Sequence, residues 1–236
     1  MRSKFDFART VAGLVLFSIA FGYVEGAVVV YLRSVYLPLR MHFYPGALTS
    51  EVFPLLSLDQ LRALGPENTL LLSIEYAREL ATLLMLAGVA TVAARNVRHG
   101  VAAFLFCFGI WDVVFYFSLK LLLDWPASLF AWDILFLVPV PWVGPVLAPM
   151  LVSISMIAAG LLVLWREHNN DPVHINAMRW SLIILGGTVI VAAFVWDFHN
   201  TLKGAAPATF HWEVFALGEA IGLLAFTAAL RRSAAA

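Results

Sequence analysis

Charge is what this sequence has least of. Asp, Glu, Lys and Arg make up 13% of its 236 residues, against about 25% in a water-soluble domain. With 62% of the residues hydrophobic, too few polar side chains remain to cover a surface in water, and lipid is the solvent that suits the composition. The 15 basic and 15 acidic residues cancel, which removes nucleic acid or an anionic surface as a general partner. Cysteine occurs once, as Cys107 in an apolar run. An intramolecular disulfide and a CxxC metal site are therefore excluded.

Catalytic signatures are missing as well. There is no HExxH, and Arg166-Glu167-His168 reads as a surface fragment. No GxSxG is present. The Glu-x-x-His pair of di-iron bundles is absent, because Glu75 is followed three residues on by Arg78 and Glu79 by Thr82. The last apolar run has no lysine for a retinal Schiff base.

What the sequence does have is long apolar runs. They fall at roughly 11–32, 70–93, 100–123, 146–165, 180–199 and 211–230, each near the ~20 residues needed to cross a bilayer. The basic start, with Arg2, Lys4 and Arg9, resembles a signal peptide. Its apolar run continues to Val30, however, which fits an uncleaved first span better. Between the third and fourth runs lies 125–145, with a short helix expected at about 126–138 before Pro139, Pro141, Gly144 and Pro145 break it. It reads either as a seventh span or as a re-entrant or interfacial segment.

Charge asymmetry separates the two. Six spans put Arg2, Lys4, Arg9, Arg95, Arg98, Arg166, Arg179, Arg231 and Arg232 in the cytoplasm, and Arg33, Arg40, Arg62 and Lys203 outside. That obeys the positive-inside rule, which seven spans would reverse. Trp125, Trp132 and Trp142 also suit an interface. The expectation is an all-α integral membrane protein: six transmembrane helices plus a re-entrant or interfacial segment, forming one domain over 1–236. A loop at 33–69, holding Pro38, Pro45, Pro54 and Pro66, caps it outside. The implied location is a bacterial inner membrane, with both termini cytoplasmic.

Ionisable residues inside spans are costly and mark functional candidates. Glu25, Glu79 and Glu219 lie ~10–14 Å below the outer helix ends and Asp112 ~16 Å below, at ~1.5 Å per residue. Glu75, Lys120, Asp133, Asp197, His199, His211 and Glu213 lie nearer the outer surface. Glu75 and Glu79 share a helix face with Arg78 beside them, and Asp112, Tyr116 and Lys120 form one stripe. Gly22 and Gly26 flank Glu25, and Gly218 and Gly222 flank Glu219, spacings that let helices approach closely.

Each feature also has a structural reading. Arg78 can neutralise Glu75 or Glu79, and Lys120 can pair with Asp133. His42, His99, His168 and His174 read as surface residues. Even so, eight carboxylates (Glu25, Glu75, Glu79, Asp112, Asp133, Asp197, Glu213, Glu219) face two cations, Arg78 and Lys120.

The excess points to a site in the outer half of the bilayer. Glu79 and Asp112 are its candidate acid–base groups. Glu75, Arg78, Tyr116, Lys120 and Asp133 are its candidate ligand contacts. Glu25, Glu79, Asp112, His199, His211 and Glu219 form a candidate ligand set for a divalent metal ion, the one cofactor their chemistry suggests. The expected partners are membrane lipids, with a homo-oligomer or a membrane-complex partner compatible. A subunit or assembly factor of a membrane complex is the competing reading, followed by a proton or cation carrier.

Overall fold

The computed structural model describes residues 4–205 and 207–233; Arg2, one of the orienting residues, lies outside them. The chain is almost wholly helical. Helix α1 is Lys4–Phe43, α2 Leu58–Ala63, α3 Pro66–Ala93 and α4 Val97–Leu123. Two short strands follow, β1 Trp132–Phe136 and β2 Trp142–Pro145. Then come α5 Leu147–His168, α6 Ala177–Val195, α7 Phe198–Leu202 and α8 Trp212–Ser233. Five helices are long and apolar enough to cross a membrane: Phe7–Phe43, Val97–Leu123, Leu147–His168, Ala177–Val195 and Trp212–Arg231. This is the pattern of a multi-pass membrane protein. α3 spans 28 residues but is not among the five; it carries Glu67, Glu75, Arg78 and Glu79.

α1 is twice the length expected of the first span. Residues 33–43, read as the start of the loop, continue the helix through Pro38. The stretch is rich in Leu, Arg and Met, and one proline is not enough to end it. The cap proper is therefore residues 44–65. Its small helix α2 starts with a capping box, in which the Gln60 amide donates to Ser57 Oγ and the Ser57 amide to Gln60 Oε1. Arg40 holds the cap down by donating to the carbonyls of Leu48 (2.7 Å), Glu51 (2.5 Å) and Val52 (3.0 Å).

The segment at 126–138 is not helical. β1 and β2 form an antiparallel hairpin with Asp133 opposite Gly144 and Ile134 opposite Val143. The Trp-Asp-Ile-Leu-Phe run has strong strand formers, and Pro139 and Pro141 lack the amide hydrogens that a continuing helix needs.

The main helix pairs are α1 with α4, α4 with α5, and α6 with α8, while α3 lies along α4. Glycine sets the closest approaches. A Cβ on Gly22 would stand 2.6 Å from the Trp111 carbonyl oxygen, so α1 meets α4 backbone to backbone. On α6, a Cβ on Gly186 would stand 2.7 Å from the Gly218 carbonyl oxygen of α8. At the end away from the cap, an apolar core of Leu14, Leu86, Ala90, Phe106, Cys107 and Leu164 fills the space between α1, α3, α4 and α5. His99, expected at the surface, is buried there on the same α4 face as Ala102, Ala103 and Phe106.

Candidate functional site: a polar cavity under the cap

α3 turns one face inward. Its buried positions include Glu79, Thr82, Leu86 and Ala90, spaced by three or four residues. At the cap end this face carries Glu75, Arg78 and Glu79, and at the other end only apolar groups. α4 does the same, with Asp112 and Tyr116 buried one turn apart. α1 adds Glu25 from across the bundle. Between these helices, the cap and the hairpin lies a cavity of about 350 Å³, lined by Glu25, Arg33, Tyr36, Arg40, Glu75, Arg78, Glu79, Asp112, Tyr116 and Asp133. Apolar walls complete it, among them Val29, Phe115, Leu119, Phe136 and Leu137.

Most of these polar groups are already partnered. The Arg78 guanidinium bridges two carboxylates, pairing with Glu25 on α1 and with Glu75 on its own helix. Thr82 Oγ1 donates to the other Glu25 oxygen at 2.7 Å. Glu79 Oε2 accepts the amide of Leu137 at 2.7 Å. That bond ties the residue just after β1 to α3. Asp112 Oδ2 accepts Ser153 Oγ of α5 at 2.8 Å, and Asp133 Oδ2 accepts the Tyr116 hydroxyl at 2.9 Å. Glu25, Glu79, Asp112 and Asp133 are each at most 8% exposed. The cavity thus holds carboxylates on four elements, α1, α3, α4 and β1, together with the guanidiniums of Arg33, Arg40 and Arg78.

The rest of the expected site lies elsewhere. Lys120 points away from Asp133 and pairs with Asp124 at 2.7 Å, half-exposed. The αL conformation of Asp124, just past the end of α4, brings that partner within reach. Glu219 faces α5 and accepts Ser155 Oγ at 3.3 Å. It lines a second, nearly apolar cavity of about 270 Å³ between α4, α5, α6 and α8. His211 pairs with its neighbour Glu213 at 3.0 Å and stacks near Trp196. His199, on α7, lies against Phe198. The six-residue metal set is therefore split, with three members in the cavity and Glu219, His211 and His199 outside it. Among the described residues, no three His, Cys, Asp or Glu side chains come together as a metal site. The split follows from α6 and α8 forming a pair of their own, whose inward faces look at α5 and at each other rather than at α1 and α3.

Sequence reasoning missed Arg33, Tyr36 and Arg40. They sit at i, i+3 and i+7 on α1, a helical spacing hidden by reading the segment as loop. Thr82 and Ser153, which hold Glu25 and Asp112, were visible only as isolated hydroxyls.

Set against known protein families, curated proteins and solved structures, the chain matches none of them.

Proposed function

We propose that this protein takes an amphiphilic molecule from the bilayer into the cavity beneath its cap, and that Glu79 and Asp112 serve as proton-transfer groups on the bound molecule. One observation carries the reading: a single cavity combines apolar walls with four buried carboxylates and arginines. Pockets of this kind, apolar with a few convergent polar groups, are the usual form of a small-molecule site. The volume suits one head group and part of a chain.

The reading includes six crossings, with α3 as the sixth and the hairpin as a re-entrant segment. In support, α3 exposes Leu80, Leu84, Met85 and Val92, as a lipid-facing helix does. Both termini then lie in the cytoplasm and the cap outside. A carrier is less well supported, because the apolar core around Leu86 and Phe106 fills the bundle between the cavity and the other end.

Native mass spectrometry of protein released from mild detergent tests the proposal. The expected result is a bound species of discrete mass on the wild type, reduced on Asp112→Asn and on Glu79→Gln. A bare wild-type protein, or equal retention by both variants, would sink it.

A further inference from the structure

The cavity's hydrogen-bond accounting is one-sided. Every deep carboxylate already accepts a bond: Glu25 from Thr82, Glu79 from the Leu137 amide, Asp112 from Ser153 and Asp133 from Tyr116. The unmet groups are donors: one is Trp111 Nε1 on α4, and the others lie together on α1. The Arg33 guanidinium has no hydrogen bond or close ion pair among the described residues; it rests on the Trp125 ring, 4.7 Å away, within electrostatic reach of Asp133. The Tyr36 hydroxyl is buried without a partner. Arg40 gives its terminal nitrogens to the cap, and its Nε is likewise buried without a partner. All three residues line the cavity. They share one helix face over seven residues, ~10 Å of axis. Buried donors left unsatisfied are costly, and a ligand that supplies acceptors removes that cost.

We infer that this α1 face is an oxyanion subsite, receiving the phosphate or carboxylate head group of an amphiphile whose chain lies against Val29, Phe115 and Leu119. The inference rests on the reading of the cavity as an amphiphile site and adds the sign of the head group. Arg33 supplies the mobile charge: a planar guanidinium resting on an indole can swing to an oxyanion and bind it through two N–H groups. Tyr36 donates one turn further along, and Arg40 adds positive potential while it holds the cap shut. An amine head group would have to compete for carboxylates that already have donors, and it would leave the α1 donors unmet.

Intrinsic tryptophan fluorescence of the protein in phosphatidylcholine vesicles, titrated with n-decyl phosphate, tests the subsite. Parallel titrations use decyltrimethylammonium, n-decanol and inorganic phosphate. The expected result is saturable binding of decyl phosphate, about tenfold or more weaker in Arg33→Gln and about fivefold weaker in Tyr36→Phe. Arg33→Lys keeps the charge but loses the two-point fork, so its affinity falls between those of the wild type and Arg33→Gln, an ordering that a misfolded variant would not give. Inorganic phosphate binding as tightly as decyl phosphate keeps the oxyanion subsite and makes a soluble anion its occupant. Wild-type affinity in both Arg33→Gln and Tyr36→Phe, or tighter binding of decyltrimethylammonium, overturns the subsite while the amphiphile cavity stands. If none of the three decyl compounds binds, the cavity reading fails with it.

Discussion

Arg78 is where the account is most exposed to test. Its guanidinium joins α1 to α3 through Glu25 and also pairs with Glu75. The Glu25 and Glu75 side chains are 7% and 12% exposed, and Arg78 is 27% exposed. Replacing it by Gln leaves two carboxylates facing one cavity with no cation between them. Breaking a fully buried pair from one side costs about 3–5 kcal/mol. Arg78 borders a cavity and keeps some hydration, so the lower figure of about 2–3 kcal/mol applies. At about 2–4 °C per kcal/mol for a chain of this size, the apparent Tm in detergent should fall by about 5–10 °C. Glu25→Gln alone should also destabilise, because Arg78 then loses one partner and keeps its burial. The double variant Glu25→Gln/Arg78→Gln should lose less than the sum of the two, by about 1–2 kcal/mol, the signature of residues that act on each other. Scanning fluorimetry on the four proteins reads this directly. Single variants within a degree of the wild type, or strict additivity, would refute the idea that the bridge holds α1 to α3.

Four further outcomes follow from the geometry. Gly22→Val places side-chain atoms against the Trp111 carbonyl oxygen and should destabilise by about 1–3 kcal/mol, measured by the same melt; Gly13→Ala, where a Cβ meets nothing within 4 Å, should leave the melt near wild type. Arg40→Gln removes three bonds to the cap carbonyls, so limited proteolysis should cut residues 46–56 faster than in the wild type, with the helices intact. Lys120→Ala breaks an exposed pair and should shift stability by less than about 1 kcal/mol, whereas Tyr116→Phe strips the buried Asp133 of its donor and should cost about 1–3 kcal/mol.

For Glu25 and Glu79 the structure sets longer distances from the helix end, because α1 runs on to Phe43 and α3 starts at Pro66, but how far Asp112 lies from the end of its helix was legible as a count of residues. Which way each group faces was not. Glu219 and Glu79 belong to one expected ligand set, yet Glu219 looks at Ser155 of α5 while Glu79 looks at the hairpin. Azimuth is fixed by which helices pair, and the pairing of α6 with α8 depends on glycines at 186 and 218 whose partners no periodicity names. The glycines beside Glu25 were readable as a close approach, though not that α4 would be the neighbour. Helical spacing pairs Arg78 with Glu75 or Glu79 on its own helix; the bond to Glu25, 53 residues earlier in the chain, is a tertiary fact. The hairpin was misread for a simpler reason. A short apolar run fits a strand or a helix equally well, and only the acceptor waiting on α3 and the prolines after 138 favour the strand. That same misreading hid what Glu79 does for the fold, since a helix would have no free amide to offer it.

The most direct test of the central claim is photo-crosslinking in native membranes, with benzoylphenylalanine placed at Phe115 in the cavity wall and, separately, at the lipid-facing position Leu224. Mass spectrometry then identifies what each position captures. The account expects Phe115 to capture a discrete amphiphile enriched over its share of the membrane, while Leu224 captures bulk lipid in proportion to its abundance. The same bulk lipids at both positions, in the same proportions, would contradict it.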